Sequence, residues 1–157
     1  MSEHDRDPNC DLRMESRARE HFPELLEKMQ ASIKVIPMPA DTNMNGDVFG
    51  GWLMSQVDLS GLVPVTRVSR GKAATVAVKE FLFRAPVYVG DLVCCYTRIE
   101  RIGSTSVTVR VEAVTEHPDE RAPTHVASAE LVYVCIDEHG NKRPVMANRA
   151  EPKKEAT

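Results

Sequence analysis

The chain has 157 residues, with 20 Lys and Arg against 23 Asp and Glu for a net charge of −3. That length is expected to make one domain, and the mildly acidic balance argues against a nucleic-acid partner. Hydrophobic residues at 42% and charged residues at 27% suffice for one core and exclude wholesale disorder. In chain order, the N-terminus MSEHDRDPNCDLRMESRARE carries charge throughout with no apolar signal core. No later stretch approaches the roughly 18 apolar residues of a membrane span, so a cytoplasmic protein without membrane insertion is expected. Residues 1–30 read as a charged arm or short helix, with Phe22, Leu25, Leu26 and Met29 as an apolar stripe at helical spacing. A short β-like run over 33–36 leads into a long irregular loop, PMPADTNMNGDVFGG. From Gly51 to about Arg70 the residues are mostly apolar and unpatterned, which predicts a largely buried helix that kinks or ends near Pro64.

The period then changes to two, predicting strands over 73–83, 92–102, 105–115 and 125–137. Gly103-Ser104 and Val89-Gly90-Asp91 supply turns. Val107, Val109, Val111 and Ala113 alternate with Thr108, Arg110 and Glu112, the pattern of a sheet with one wet side. One long helix followed by a meander of strands is an α+β domain, an antiparallel sheet wrapping the helix, over residues 31–140. The charged, proline-containing residues 141–157 read as a flexible C-terminal tail.

The cysteines at 10, 94, 95 and 135 form no C-x-x-C pair, so neither a disulfide framework nor a zinc site is expected. The histidines at 4, 21, 117, 125 and 139 lack metal-ligand spacing and read as solvated surface groups, so no metal is expected. No G-x-S-x-G elbow, phosphate loop, G-x-G-x-x-G or H-E-x-x-H motif is present. What remains is the loop-to-helix junction from Asn43 to Trp52, with Asp58 inside the helix that follows. A helix start offers unpaired N–H groups, and Gly50-Gly51 would let a ligand approach them, a candidate oxyanion site. Asp58 among apolar helical neighbours could activate water or attack a carbonyl. It fits an exposed helix stripe as well, just as Asn45, Gly46 and Asp47 fit ordinary turn roles.

Three strings in one order carry a resemblance: PADTNMNGDVFGGWLMSQVDLSG, TVAVKEFLFRAPVYVGDLVCCY and RIGSTSVTVRVE. Together they closely resemble the hotdog-fold acyl-CoA thioesterases, in the bacterial YciA-type branch related to the brain acyl-CoA hydrolases. The resemblance spans roughly Ile33 to Asp137. It implies a hotdog fold, homodimers paired edge to edge, trimers of dimers, and active sites at the dimer interface. The family's catalytic carboxylate falls on Asp58, its loop group on Asp47 beside Asn45, and its oxyanion donor near Gly50 and Gly51. The turn that is usually Gly-Arg-Ser-Ser reads Gly103-Ser104-Thr105-Ser106 here, suited to pantetheine or phosphate, and Arg84 would supply part of the missing charge. Trp52, Met54, Phe81 and Phe83 are candidates to line an acyl tunnel between subunits.

The expected activity is hydrolysis of acyl-CoA thioesters to acid and CoA, Asp58 acting as base or nucleophile, with no cofactor beyond the CoA of the substrate. A hotdog module that binds acyl-CoA without turnover is the alternative. A hydratase would need a histidine in the helix or its loop, and none lies between His21 and His117.

Overall fold

The β-branched, period-two runs form strands, and the apolar run between them forms one helix. A computed structural model describes residues 26–119 and 122–146. Strand β1 (Gln30–Val35) leads through a 3-10 turn (Pro39–Asp41) to helix α1 (Gly50–Ser69), followed by β2 (Ala73–Phe83), β3 (Leu92–Ile102), β4 (Ser106–Glu116) and β5 (Thr124–Cys135). The strands make one antiparallel sheet in the order β1-β3-β4-β5-β2, and α1 packs against all five. This is the wrapped helix that the sequence pattern predicts.

The core lies between α1 and the concave face of the sheet. Leu53, Val57, Ser60, Gly61, Val65 and Ser69 bury one helix stripe at 3–4 spacing. They meet Val107, Val109, Val111 and Ala113 of β4 and Ala127, Ala129, Leu131 and Tyr133 of β5. Each buried valine contributes roughly 1.5 kcal/mol. The helix does not end at Pro64 but continues to Ser69, because Val65 and Ser69 beyond the proline are buried and packing offsets the lost hydrogen bond. It stops where Arg70 turns left-handed at φ 52°.

Residues 141–146 are not a solvated tail. Lys142 bridges to Ile136, Arg143 N–H donates to the Cys135 carbonyl and Val145 N–H to that of Ser104, with the Val145 side chain buried. Arg143 also donates from Nη2 to the Ser69 carbonyl, where a cation complements the helix C-terminus. At the other end, the stripe residues Phe22 and Leu25 lie outside the described residues, while Leu26 begins a helical turn and Met29 is buried.

The face of the sheet turned away from α1 is drier than alternation predicts. Thr108 and Glu112 of β4 are both buried, as is Ser128 of β5. Strand β2, by contrast, is an 11-residue sheet edge exposed along nearly its whole length, with Val76, Val78, Leu82 and Phe83 open to solvent.

Candidate active site

The loop before α1 folds on itself because Asn43 acts as an acceptor for its neighbours. Its Oδ1 receives the N–H groups of Asn45 and Asp47, and Gly46, at φ +82°, takes the conformation that closes the turn. Thr42 bridges to Val48, and Val48 N–H donates to the Val87 carbonyl at 2.8 Å, anchoring the loop to the segment after β2. Phe49 precedes the helix and provides no side-chain cap. Trp52 and Leu53 N–H both reach the Phe49 carbonyl, but among the described residues no acceptor meets the N–H of Gly50 or Gly51. Two backbone donors and the positive end of the helix dipole stand open there.

A cleft of about 330 Å³ opens beside them, with Asp47, Gly50, Leu53, Phe83 and Arg84 among its lining residues. Of the sequence-predicted site residues, Asp47, Gly50, Phe83 and Arg84 therefore come together, with Gly51 next in the chain. Asn45 sits in the exposed part of the turn, outside the lining.

Asp58 lies elsewhere. Its Oδ1 accepts from Thr75 Oγ1 at 2.6 Å, and its backbone carbonyl accepts from Tyr133 Oη at 2.8 Å. Thr75 and Tyr133 are register partners on β2 and β5, so two hydroxyls from one cross-strand pair hold the residue's carboxylate and its backbone. Tyr133 can enter because the helix carries Gly61 there, where a Cβ would collide with the phenol oxygen. Burial, followed by the charge and hydrogen bonding of Asp58, pushes the Tyr133 hydroxyl well above its ordinary range, so it is a fixed donor. The Gly103–Ser106 turn belongs to this same end of the sheet, since Ser106 pairs with Val134 and Cys135 N–H donates to the Thr105 carbonyl. The cleft is at the other end, where Phe83 pairs with Ala127. Thr75 and Phe83 are eight positions apart on β2, but two bulges leave their β5 partners Tyr133 and Ala127 six apart, about 20 Å at ~3.4 Å per residue. Asp58 and the cleft thus lie toward opposite ends of the edge strand β2.

The thiols of the described residues are not candidates for the chemistry. Cys94, Cys95 and Cys135 are buried and free, burial pushes Cys95 up to about 12, and burial with the nearby Glu116 raises Cys94.

The sequence profile of the thioesterase superfamily matches residues 45–122. The acyl-CoA thioester hydrolase YciA of Escherichia coli K12 is 41% identical over 114 residues, covering 71% of this chain and 86% of that protein. The chain belongs to the hotdog-fold thioesterase superfamily. Solved hotdog relatives agree. A hexameric thioesterase of Yersinia pestis superposes with a TM-score of 0.70 at 38% identity, over 74% of this chain and 94% of that one. A hexameric hotdog thioesterase of Campylobacter jejuni gives 0.70 at 34%, over 73% and 89%.

On this hotdog the sequence pattern missed a buried polar cluster behind the cleft. His125, expected on the surface, has a side chain only 8% exposed, with Nε2 2.7 Å from Glu112 Oε2. Ser128 Oγ donates to the same carboxylate oxygen, and Arg110 Nε meets its other oxygen at 3.2 Å. Burial pushes Glu112 up, but hydrogen bonds from His125 and Ser128 and the charges of His125 and Arg110 outweigh it, so its carboxyl sits below its ordinary value. The clue in the sequence was alternation of polar residues on both β4 and β5, which register turns into the pairs Arg110 with Glu130 and Glu112 with Ser128.

Proposed function

We propose that the protein hydrolyses acyl-CoA thioesters to a carboxylic acid and CoA at composite sites formed by two copies paired through β2. The observation that carries this reading is the placement of Asp58 and the cleft toward opposite ends of one apolar edge strand whose outer side pairs with no strand among the described residues. Such an edge invites a partner strand. A two-fold axis near Lys79, midway between positions 75 and 83, sets the Asp58 end of one copy against the cleft end of the other. The pairing covers Val76, Val78 and Leu82 and joins what a single chain keeps apart.

The parts then suit acyl transfer. Thr75 occupies Oδ1 of Asp58 and leaves Oδ2 for a water proton or for direct attack on the thioester carbonyl. The open N–H groups at Gly50 and Gly51 are placed to receive the oxygen that becomes an oxyanion. The leaving thiolate, with a thiol pKa of about 8.5, needs far less protonation than an alkoxide would. No metal or redox cofactor is needed for these steps. Trp52 and Phe81 pack against the core while Met54 and Phe83 are exposed, a surface that becomes an acyl tunnel wall once a second copy covers it. The hexamers of the Yersinia and Campylobacter relatives favour a trimer of such dimers. No helix among the described residues is long and apolar enough to cross a membrane, and the reading places the protein in the cytoplasm with soluble acyl-CoA.

The test is CoA release from short, medium and long acyl-CoAs by the parent and by Asp58→Asn, which keeps the Thr75 bond but removes the base. Turnover should fall by roughly 10²- to 10⁴-fold in the variant. A parent that binds CoA yet releases none from any thioester would make this a binding module.

A further inference from the structure

Most basic side chains of the sheet are matched to carboxylates. Lys79 pairs with Glu130, Arg98 with Glu100, and Arg110 with Glu80 and Glu112. Arg84, on the cleft wall, is not. Its Nε donates to the neutral Ser128 Oγ at 2.8 Å, and among the described residues no acceptor meets its two Nη groups. Asp47 lines the same cleft without forming an ion pair with it.

The Ser128 hydroxyl is itself directed. A hydroxyl has one proton and two lone pairs, and Glu112 takes the proton, so the lone pairs are left facing donors. One receives Arg84 Nε, and His125 Nε2 stands 3.2 Å from the same oxygen. With Ser128 1% and Glu112 2% exposed, water cannot substitute for either bond. The guanidinium is thus held by one edge from buried ground, with its other edge unspent.

We infer that Arg84 recognises a phosphate of the nucleotide half of CoA, and that Ser128, seated on the Glu112–His125 pair, is the positioning residue that presents it. The inference rests on the acyl-CoA reading above, because the phosphates are the anionic groups of such a substrate. A preset guanidinium edge matches phosphate geometry and loses little side-chain freedom on binding.

The experiment compares kcat/KM for one acyl group carried on CoA and on pantetheine, which lacks the phosphates, and reads the ratio so that losses common to both substrates cancel. Arg84→Gln should lower the ratio about tenfold, the loss of one charge-assisted phosphate contact. Ser128→Ala should lower it about threefold, Ser128→Thr should restore it, and Ser128→Ala added to Arg84→Gln should lower it no further. Equal losses on both substrates, or a Ser128→Ala effect that persists without Arg84, would overturn the assignment. Calorimetric binding of CoA, dephospho-CoA and pantetheine separates this from the hydrolytic reading, since it needs no turnover. CoA binding weakened about tenfold in Arg84→Gln supports the site even in a protein that hydrolyses nothing, and CoA bound at parental strength overturns it even in one that does. An Arg84→Gln penalty that disappears with dephospho-CoA assigns the 3′-phosphate, and one that persists there but disappears with pantetheine assigns the pyrophosphate.

Discussion

The two ends of β2 are built on different chemistry. At the Thr75 end the two side chains bonded to Asp58 are neutral hydroxyls, one on the carboxylate and one on the backbone carbonyl. At the Phe83 end the helix begins uncapped, two backbone donors stand open, and the wall rests on buried charges around Glu112. The first end fixes Asp58 through two hydroxyls, while the second leaves backbone donors open. On the proposed reading a single chain is chemically unfinished: the Asp58 carboxylate and the open N–H groups at Gly50 and Gly51 lie toward opposite ends of an edge that a second copy would bring together.

The largest expected effect comes from closing that edge. Val78 lies half-way along β2, 47% exposed, and a charge on a pairing edge is a strong deterrent to strand addition. Val78→Lys should yield a monomer by light scattering, with circular dichroism of the parent and activity near that of Asp58→Asn. A Val78→Lys monomer with parental turnover would mean that each chain carries a whole site.

A mixing experiment tests the same division without harming the interface. Asp58→Asn disables one half-site and Asp47→Asn the other, so each homodimer should be inactive. In a two-fold dimer the mixed species has one site with both changes and one with neither. Co-refolding equal amounts makes half the dimers mixed, each with one working site of two, which restores about a quarter of parental activity. No recovery in verified mixed dimers would place both aspartates in one chain's site.

How much of this was visible in the sequence follows from what each feature depends on. The strands showed because period-two valines report on one chain segment at a time, and Asp58 stood out as a candidate because a carboxylate among apolar helical neighbours is locally odd. Pro64 misled because its cost is local while the burial of Val65 and Ser69 beyond it is tertiary. The Glu112–His125–Ser128 cluster depends on the register of β4 against β5, and a slip of β5 by one residue would turn His125 and Ser128 to the face away from Glu112. No spacing rule along the chain encodes that register. The separation of Asp58 from the cleft was hidden for the same reason, since Asp47 and Asp58 are eleven residues apart in sequence but lie toward opposite ends of β2.

The charged foundation of the cleft end should be the costlier of the two to disturb. Glu112→Gln leaves buried His125 without its carboxylate and Arg110 with Glu80 alone, an expected loss of about 3 kcal/mol in denaturant unfolding. Because the folded-state carboxyl sits below its ordinary value, its contribution is fully present above the pKa of an unfolded-chain glutamate and is lost as pH falls through the lower, folded value. The gap between parent and variant should therefore shrink on acidification through that window. A gap that widened instead would mean that Glu112 is protonated in the folded protein.

The smallest effect belongs to the neutral end. Tyr133→Phe removes the hydroxyl bond to the Asp58 carbonyl but keeps the ring that fills the core against Gly61. A carbonyl has two lone pairs, so Asp58 retains its helical partner, and the expected destabilisation is about 1 kcal/mol. If Tyr133 serves only the fold, kcat should be unchanged at temperatures well below unfolding. If it also fixes the helix turn that aims Asp58, kcat should fall severalfold with KM unmoved, since slight misplacement of a reacting group costs rate rather than binding. Thr75→Val offers the control at the same register pair, because it frees the carboxylate while leaving the carbonyl held. A larger loss of kcat in Thr75→Val than in Tyr133→Phe would show that the orientation of Asp58 resides in its carboxylate bond, and the reverse order would place it in the backbone.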